Sequence, residues 1–174
     1  MNQPMRVPAQ TAPPEAVTDA AAEEPVHADT RSLGFLVNDV ARLIRNGFAQ
    51  RVQEAGLGLT GGEARALVHV AAAAGARQNE IAERMGVEPM TLCGYIDKLE
   101  GRGLVERQPH PDDRRAKRVV PTAEAEEAMG LIMPVAQAMI DEMLDGLPQE
   151  DVDALYRALT HIQIRLSPRP IPLD

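Results

Sequence analysis

The stretch RQNEIAERMGVEPMTLCGYIDKLEGRGLV, Arg77 to Val105, decides the fold. Ile81, Ala82 and Met85 recur at helical spacing and mark a short helix, and Gly86-Val87 follows as a tight turn. Leu92, Ile96 and Leu99 then form the inner face of a second helix, which ends at Gly101 or Gly103. Two short helices joined by a glycine-containing turn predict a helix-turn-helix, whose second helix reads the major groove of DNA. At about 100° per residue, that helix turns Met90, Gly94 and Asp97 away from the inner row, with Thr91, Cys93 and Lys98 on the flanks. A solvated helix face is the plain reading of such residues. The basic segment immediately C-terminal to the helix argues for a nucleic-acid contact instead.

Leu104–Arg107 and Lys117–Val120 are short, apolar-alternating segments around a Pro, Asp and Arg loop, and predict a β-hairpin. The surrounding sequence RQPHPDDRRAKRVVPT, residues 107–122, gathers Arg107, Arg114, Arg115, Lys117 and Arg118 against Asp112 and Asp113. The whole chain of 174 residues has a net charge of −8, so this basic cluster is local. Residues 1–31 carry −3, 32–77 carry +2, 78–120 are neutral and 121–174 carry −7. Local fields rather than net charge attract phosphates, so the acidity does not exclude DNA. An arginine at a hairpin tip suits a narrow minor groove. Arg107, Lys117 and Arg118 are expected on phosphates along the flanks, the alternative being a solvated loop.

Working outward, GGEARALVHVAAAAG is a helix capped by Thr60, with Glu63 as the return partner of a capping box. Before it, Leu33, Leu36, Val37, Val40, Leu43, Ile44 and Phe48 make a long amphipathic helix starting near Ser32. After the hairpin, a helix rich in Ala, Met and Glu runs from Thr122 towards Gly146, with a kink expected at Pro134. Pro148 opens a last helix, where Val152, Leu155, Leu159, Ile162 and Leu166 alternate spacings of three and four. That seam implies a helical partner, and a second copy of the chain is expected to supply it. An intramolecular core is the competing destination for the same stripes.

The fold class is therefore mainly α with a small β-hairpin wing: a winged helix-turn-helix lobe plus a helical dimerisation region. Residues 1–31, rich in Pro, Ala and acids, read as a disordered tail, and residues 167–174 as an irregular one. Residues 32–166 form the domain, with 32–56 and 122–166 dimerising and 60–121 binding DNA. Leu36 and Val40 join the last helix's seam as dimerisation residues. With 44% apolar but only 2% aromatic residues, the core must be aliphatic. No apolar run is long enough to span a membrane, and the first residues lack a signal-peptide core. One cysteine fits a reducing compartment, so a cytoplasmic location is expected.

In this pattern the chain resembles the MarR family of winged helix-turn-helix regulators. The resemblance covers about Leu33 to Leu166 and rests on Thr91-Leu92, Leu99-Glu100, Gly103-Leu104-Val105, Asp113-Arg114-Arg115, Thr122 and Ala125 at the family's spacings. It implies a homodimer whose two winged lobes read a pseudo-palindromic operator in double-stranded DNA. It also implies that Arg115 enters the minor groove, with Asp113 stabilising the wing. Two departures stand out: Gly94 where many members carry arginine, and Pro121 where a leucine usually closes the wing. The expected DNA-contacting set is Met90, Thr91, Gly94, Lys98, Arg107, Arg114, Arg115, Lys117 and Arg118.

Relatives commonly bind small aromatic or phenolic acids between the dimerisation helices and the winged lobe. On that resemblance Asn38, Arg42, Arg45 and His69 are the polar candidates for a ligand pocket, because an arginine can pair with a carboxylate. Met129, Met133, Met139 and Met143 either flex around such a ligand or simply pack. The implied function is a repressor released by that effector. The alternatives are a dimeric scaffold that has lost DNA binding, and a thiol sensor acting through Cys93. No enzyme is expected, since only Ser32 and Ser167 are serines and no nucleophile–base pair stands out. No metal or other cofactor is expected, because His27, His69, His110 and His161 lack ligand spacing.

Overall fold

The computed structural model describes residues 32–166 except 74 and 112, and for 113–115 it describes the backbone alone. The expected tails, 1–31 and 167–174, and Asp112 lie outside the described residues. The order is α1 (Leu33–Glu54), α2 (Gly61–Ala72), α3 (Gln78–Met85), α4 (Pro89–Gly101), β1 (Val105–His110), β2 (Asp113–Pro121), α5 (Ala123–Leu144) and α6 (Gln149–Leu166). This is the mainly helical fold with one antiparallel hairpin that the sequence predicts.

Local chemistry accounts for the element ends. Thr60 and Glu63 close a capping box at the start of α2, with Thr60 N–H donating to Glu63 Oε2 at 2.9 Å and Glu63 N–H to Thr60 Oγ1 at 3.3 Å. Ser32 occupies the N-cap of α1 without a side-chain hydrogen bond. Gly86 ends α3 in the left-handed region at φ 63°, where a side chain would be strained, and so sets the turn into α4. Pro89 opens α4 in the first turn, where its missing N–H costs nothing. Pro134 lies inside α5 without ending it: the helix continues to Leu144.

The core sits inside the winged lobe. Leu67 and Val70 of α2, Ile81 of α3, Leu92, Ile96 and Leu99 of α4, and Val119 of β2 are fully buried. Val52 of α1 and Ile132 of α5 join them from the flanking helices. Gly61 lets α1 and α2 touch, since a Cβ there would collide with the Ala49 side chain and backbone. The N-terminal half of α1 is different: Leu33, Phe35, Leu36, Val37, Val40 and Leu43 are exposed. So are Leu155, Tyr156, Leu159, Ile164 and Leu166 of α6, a helix that buries none of its residues. Val152 and Ile162 are half-buried. Among the described residues no helix is long and apolar enough to cross a membrane, and no group of metal-type side chains gathers.

The hairpin is longer than expected. The predicted loop is mostly strand, with Gln108 facing Arg118, Pro109 facing Lys117 and His110 facing Asp113 across the pair. Arg114 and Arg115 therefore belong to β2 rather than to a loop. The base of β2 is tied to the α2–α3 connection, where Val119 N–H donates to Ala76 O and Gly75 N–H to Val119 O. This extra backbone pairing fastens the strand to the lobe.

Candidate nucleic-acid interface

Leu92, Ile96 and Leu99 anchor α4 by one face, and the opposite face is free. Met90 is 82% exposed, Thr91 and Gly94 are exposed, and nothing lies within 4 Å of where a Gly94 Cβ would stand. These three expected contacts thus share one open surface. Lys117 is exposed on the wing. The side chains of Asp113, Arg114 and Arg115 lie outside the described residues, although their backbone is strand.

Three of the cations expected on DNA have partners within the protein. Arg107 has a side chain only 14% exposed, and its guanidinium pairs with Asp97 at 2.5 Å and with Glu100. Burial disfavours its charged form, but its hydrogen bonds to Asp97 and Glu100 and their negative charge outweigh that and raise its pKa. Arg118 is half-buried and donates from Nη2 to Gln108 Oε1 at 2.7 Å, so it turns towards its own sheet. Lys98 reaches back to Glu63, Nζ to Oε1 at 3.1 Å. Glu63, 3% exposed, is the one buried charged group among the described residues. Burial pushes its carboxyl up, but the Thr60 amide, Lys98 and the Thr60 hydroxyl together pull it below the ordinary value. Lys98 remains open along most of its side chain, so the ion pair directs it without sealing it off.

Asp97 is awkward on a DNA-reading helix unless a basic residue offsets it, and Arg107 of the wing does so. Cys93 joins the same cluster: its thiol lies 3.8 Å from Asp97 Oδ2, and Arg107 Nη2 lies 3.9 Å from the sulfur.

The expected ligand-binding residues separate into two groups. Arg42 pairs with Asp39 one turn earlier, and Asn38 is exposed near the start of α1. Arg45 and His69 instead fall beside two cations that sequence reasoning missed, Arg65 and Arg84. Burial, then the positive charge of Arg65 and Arg84, pushes His69 down. Burial and Arg45 lower Arg65, whose Nη2 donates to Met85 O at 3.1 Å, while Tyr95 raises it. The i,i+4 spacing of Arg65 and His69 was the available signal; the approach of Arg45 and Arg84 depends on helix packing.

Two surface cavities lie elsewhere. An open groove of about 1340 Å³ between α1, α2 and α4 is lined by Asn46, Gln50, Tyr95, Lys98 and Arg102 among others. A smaller one of about 270 Å³ between α1 and α5 includes Leu43, Ile44, Met139 and Met143. Asn38, Arg42, Arg45 and His69 line neither.

Residues 57–116, which hold the helix-turn-helix and most of the wing, match the sequence model of the MarR family. Among solved structures, a MarR-family transcriptional regulator from Rhodococcus sp. RHA1 is 27% identical with a TM-score of 0.67, over 78% of this chain and 95% of its own. CouR from Rhodococcus jostii RHA1, solved bound to p-coumaroyl-CoA, is 26% identical with a TM-score of 0.65, over 84% of this chain and 99% of its own. The transcriptional repressor CouR bound to a 23-mer DNA duplex is also similar, at 25% identity and a TM-score of 0.63, over 81% and 99%. The match across residues 57–116 and the fold around it make the chain similar to MarR-family transcriptional regulators.

Proposed function

We propose that this regulator is a homodimeric, cytoplasmic repressor that binds a pseudo-palindromic site in double-stranded DNA and leaves it when a small aromatic or phenolic acid binds. The observation that carries the reading is the open face of α4, with Met90, Thr91 and Gly94 exposed, in a lobe whose strand β2 is rich in basic residues. Thr91 meets a base edge or phosphate, Met90 a thymine methyl, and Gly94 lets the backbone come close. Arg115 enters the minor groove, with Asp113 steadying it, and Arg114 and Lys117 neutralise phosphates. The protein binds and releases; it catalyses no reaction and needs no cofactor.

Residues 60–121 act as the reading lobe, and 32–56 with 122–166 as the dimerisation region. The exposed rows Leu36 and Val40 of α1 and Leu155, Leu159 and Leu166 of α6 support this, because such stripes call for a helical partner. Val152 and Ile162 lie along the same seam. A dimer places two recognition helices roughly 34 Å apart, in successive major grooves. An effector that prefers another spacing shifts the population away from the DNA-bound form. The cations Arg45, Arg65 and Arg84, with the neutral imidazole of His69 among them, suit the carboxylate of an acid. CouR, solved with an aromatic thioester and with DNA, is a relative in which both partners occur.

A gel shift with the duplex upstream of the gene, against random duplex at moderate salt, tests the reading. The upstream duplex is expected to bind tighter, and Arg115→Ala to lose about ten-fold or more, the size of one good groove contact. Equal binding of both duplexes refutes it. Release by an aromatic acid that is blunted in Arg45→Ala supports the effector half.

A further inference from the structure

Arg107 stands where β1 leaves the recognition helix, and every nitrogen of its guanidinium has a partner inside the protein. Nε donates to Gln78 Oε1 at 3.4 Å, Nη1 to Glu100, and Nη2 to Asp97 Oδ1 at 2.5 Å. Its backbone N–H also donates to Glu100 Oε1 at 3.1 Å, so one carboxylate grips both the main chain and the side chain. One residue thereby joins α3, α4 and β1. With Asp97 and Glu100 against a single guanidinium, the cluster carries a net negative charge and offers a phosphate no attraction. Arg107 therefore serves DNA binding in a way other than as a phosphate ligand.

A two-stranded hairpin is marginally stable by itself, and its aim must come from what it is fastened to. On one side β2 is held by backbone bonds to Ala76 and Gly75. On the other side β1 is held to α4 by Arg107, whose planar fork fixes angle as well as distance. We infer that Arg107, through Asp97 and Glu100, is a positioning residue that sets the wing at a fixed angle to the recognition helix. Groove and wing contacts are then made together on one sequence and lost together on others. The functional half of this inference rests on the proposed DNA binding, and its structural half on geometry alone.

The experiment uses the full chain with Arg107→Ala, Arg107→Lys, Asp97→Asn and Lys117→Ala. Binding to the gene's upstream duplex and to random duplex of equal length is measured over a range of salt. Arg107→Ala is expected to cut the preference for the upstream duplex at least ten-fold while leaving the slope of log K against log salt unchanged. Lys117→Ala, a phosphate contact, is expected to flatten that slope by about 0.9 for each lobe of the dimer and to weaken both duplexes alike. Arg107→Lys keeps the charge but not the fork, and is expected to recover only part of the preference.

Asp97→Asn is the sharpest arm, because the side chain is exposed and the fold does not depend on burying it. If Asp97 merely repels DNA, its neutralisation tightens binding to every duplex, and the inference fails. If it holds Arg107, the preference falls. Backbone amide exchange at Gln108 and Lys117 in the DNA-free protein, expected to speed up in both Arg107→Ala and Asp97→Asn, tests the clamp without DNA. Unchanged exchange in Asp97→Asn overturns the inference, as does a salt slope in Arg107→Ala that flattens like that of Lys117→Ala. If the wild type fails to prefer its upstream duplex but the exchange still speeds up, the DNA reading falls and the clamp stands.

Discussion

The winged lobe and the end helices solve the burial problem in opposite ways. In the lobe, α2, α3, α4 and β2 each supply residues that are wholly buried, and its charged groups pair with one another: Lys98 with Glu63, Arg107 with Asp97 and Glu100. The N-terminal half of α1 and all of α6 do the reverse, holding leucines, valines and an isoleucine in the open. A lobe that satisfies itself can move as one body, whereas a stripe that does not must find its partner elsewhere. The contrast locates a closed core in the winged lobe and unmet apolar surface in the end helices.

The hardest way to break the contrast is to hollow out the lobe. Leu92 is fully buried on the inner face of α4, so Leu92→Ala is expected to cost about 2–5 kcal/mol in urea unfolding. A cost under about 1 kcal/mol, the level of a surface change, would mean that α4 is not packed as described.

Next comes the exposed seam. The double variant Leu155→Glu, Leu159→Glu is expected to weaken self-association at least 100-fold, about 2.7 kcal/mol, in sedimentation equilibrium. Because both side chains are exposed within the chain, the monomer's helix content should survive. If instead the variant monomer unfolds, the stripe belongs to the protein's own core and the contrast collapses.

How much of this was legible beforehand depends on how local each interaction is. The Thr60–Glu63 capping box and the Leu92, Ile96, Leu99 row are written in spacings of three and four residues, and both are present as read. The extent of the hairpin was not legible, because strand pairing is a backbone matter. Here it is prolonged through Pro109 and His110 by a register the side chains do not announce. The basic residues were legible as charges but not as bonds. Arg107 finds Gln78 29 residues away and Asp97 10 away, and Arg118 turns onto Gln108. Asp97 did carry a usable hint, since a carboxylate on a DNA-facing helix calls for a cation nearby.

A smaller effect separates two titrations inside the lobe. Glu63→Gln keeps the shape but removes the charge that Thr60 and Lys98 hold, an expected loss of about 1–2 kcal/mol at neutral pH; the exposed Lys98 end is discounted for solvent screening. Glu63's folded pKa lies below its unfolded value of about 4.3, so its stabilisation is present above that pH and lost as acid carries the protein down through the folded pKa. The gap between wild type and Glu63→Gln should therefore close at low pH. His69 is also lowered in the folded state. Its share is complete above about 6.5 and declines as pH falls from there through its own folded pKa. His69→Gln should flatten the stability profile just below about 6.5, and Glu63→Gln only below about 4.3. If either variant flattens the other's window, the two groups are coupled.

The smallest effect comes from two glycines of the same lobe. Gly94 sits mid-helix on α4 with nothing near its missing Cβ, so Gly94→Ala is expected to raise stability by about 0.5–1 kcal/mol through helix propensity. At Gly62 a Cβ would stand 2.5 Å from the Tyr95 ring, so Gly62→Ala must displace that ring and should destabilise. Thermal unfolding of the two variants reads the opposite signs directly. Their DNA affinities divide the other way if the open face of α4 is the reading surface. Gly94→Ala then stabilises the protein and still weakens operator binding, because the methyl stands where the backbone must come close. A Gly94→Ala protein that is more stable and binds as tightly as wild type would move the DNA contact off the middle of α4 and leave it to Met90, Thr91 and the wing.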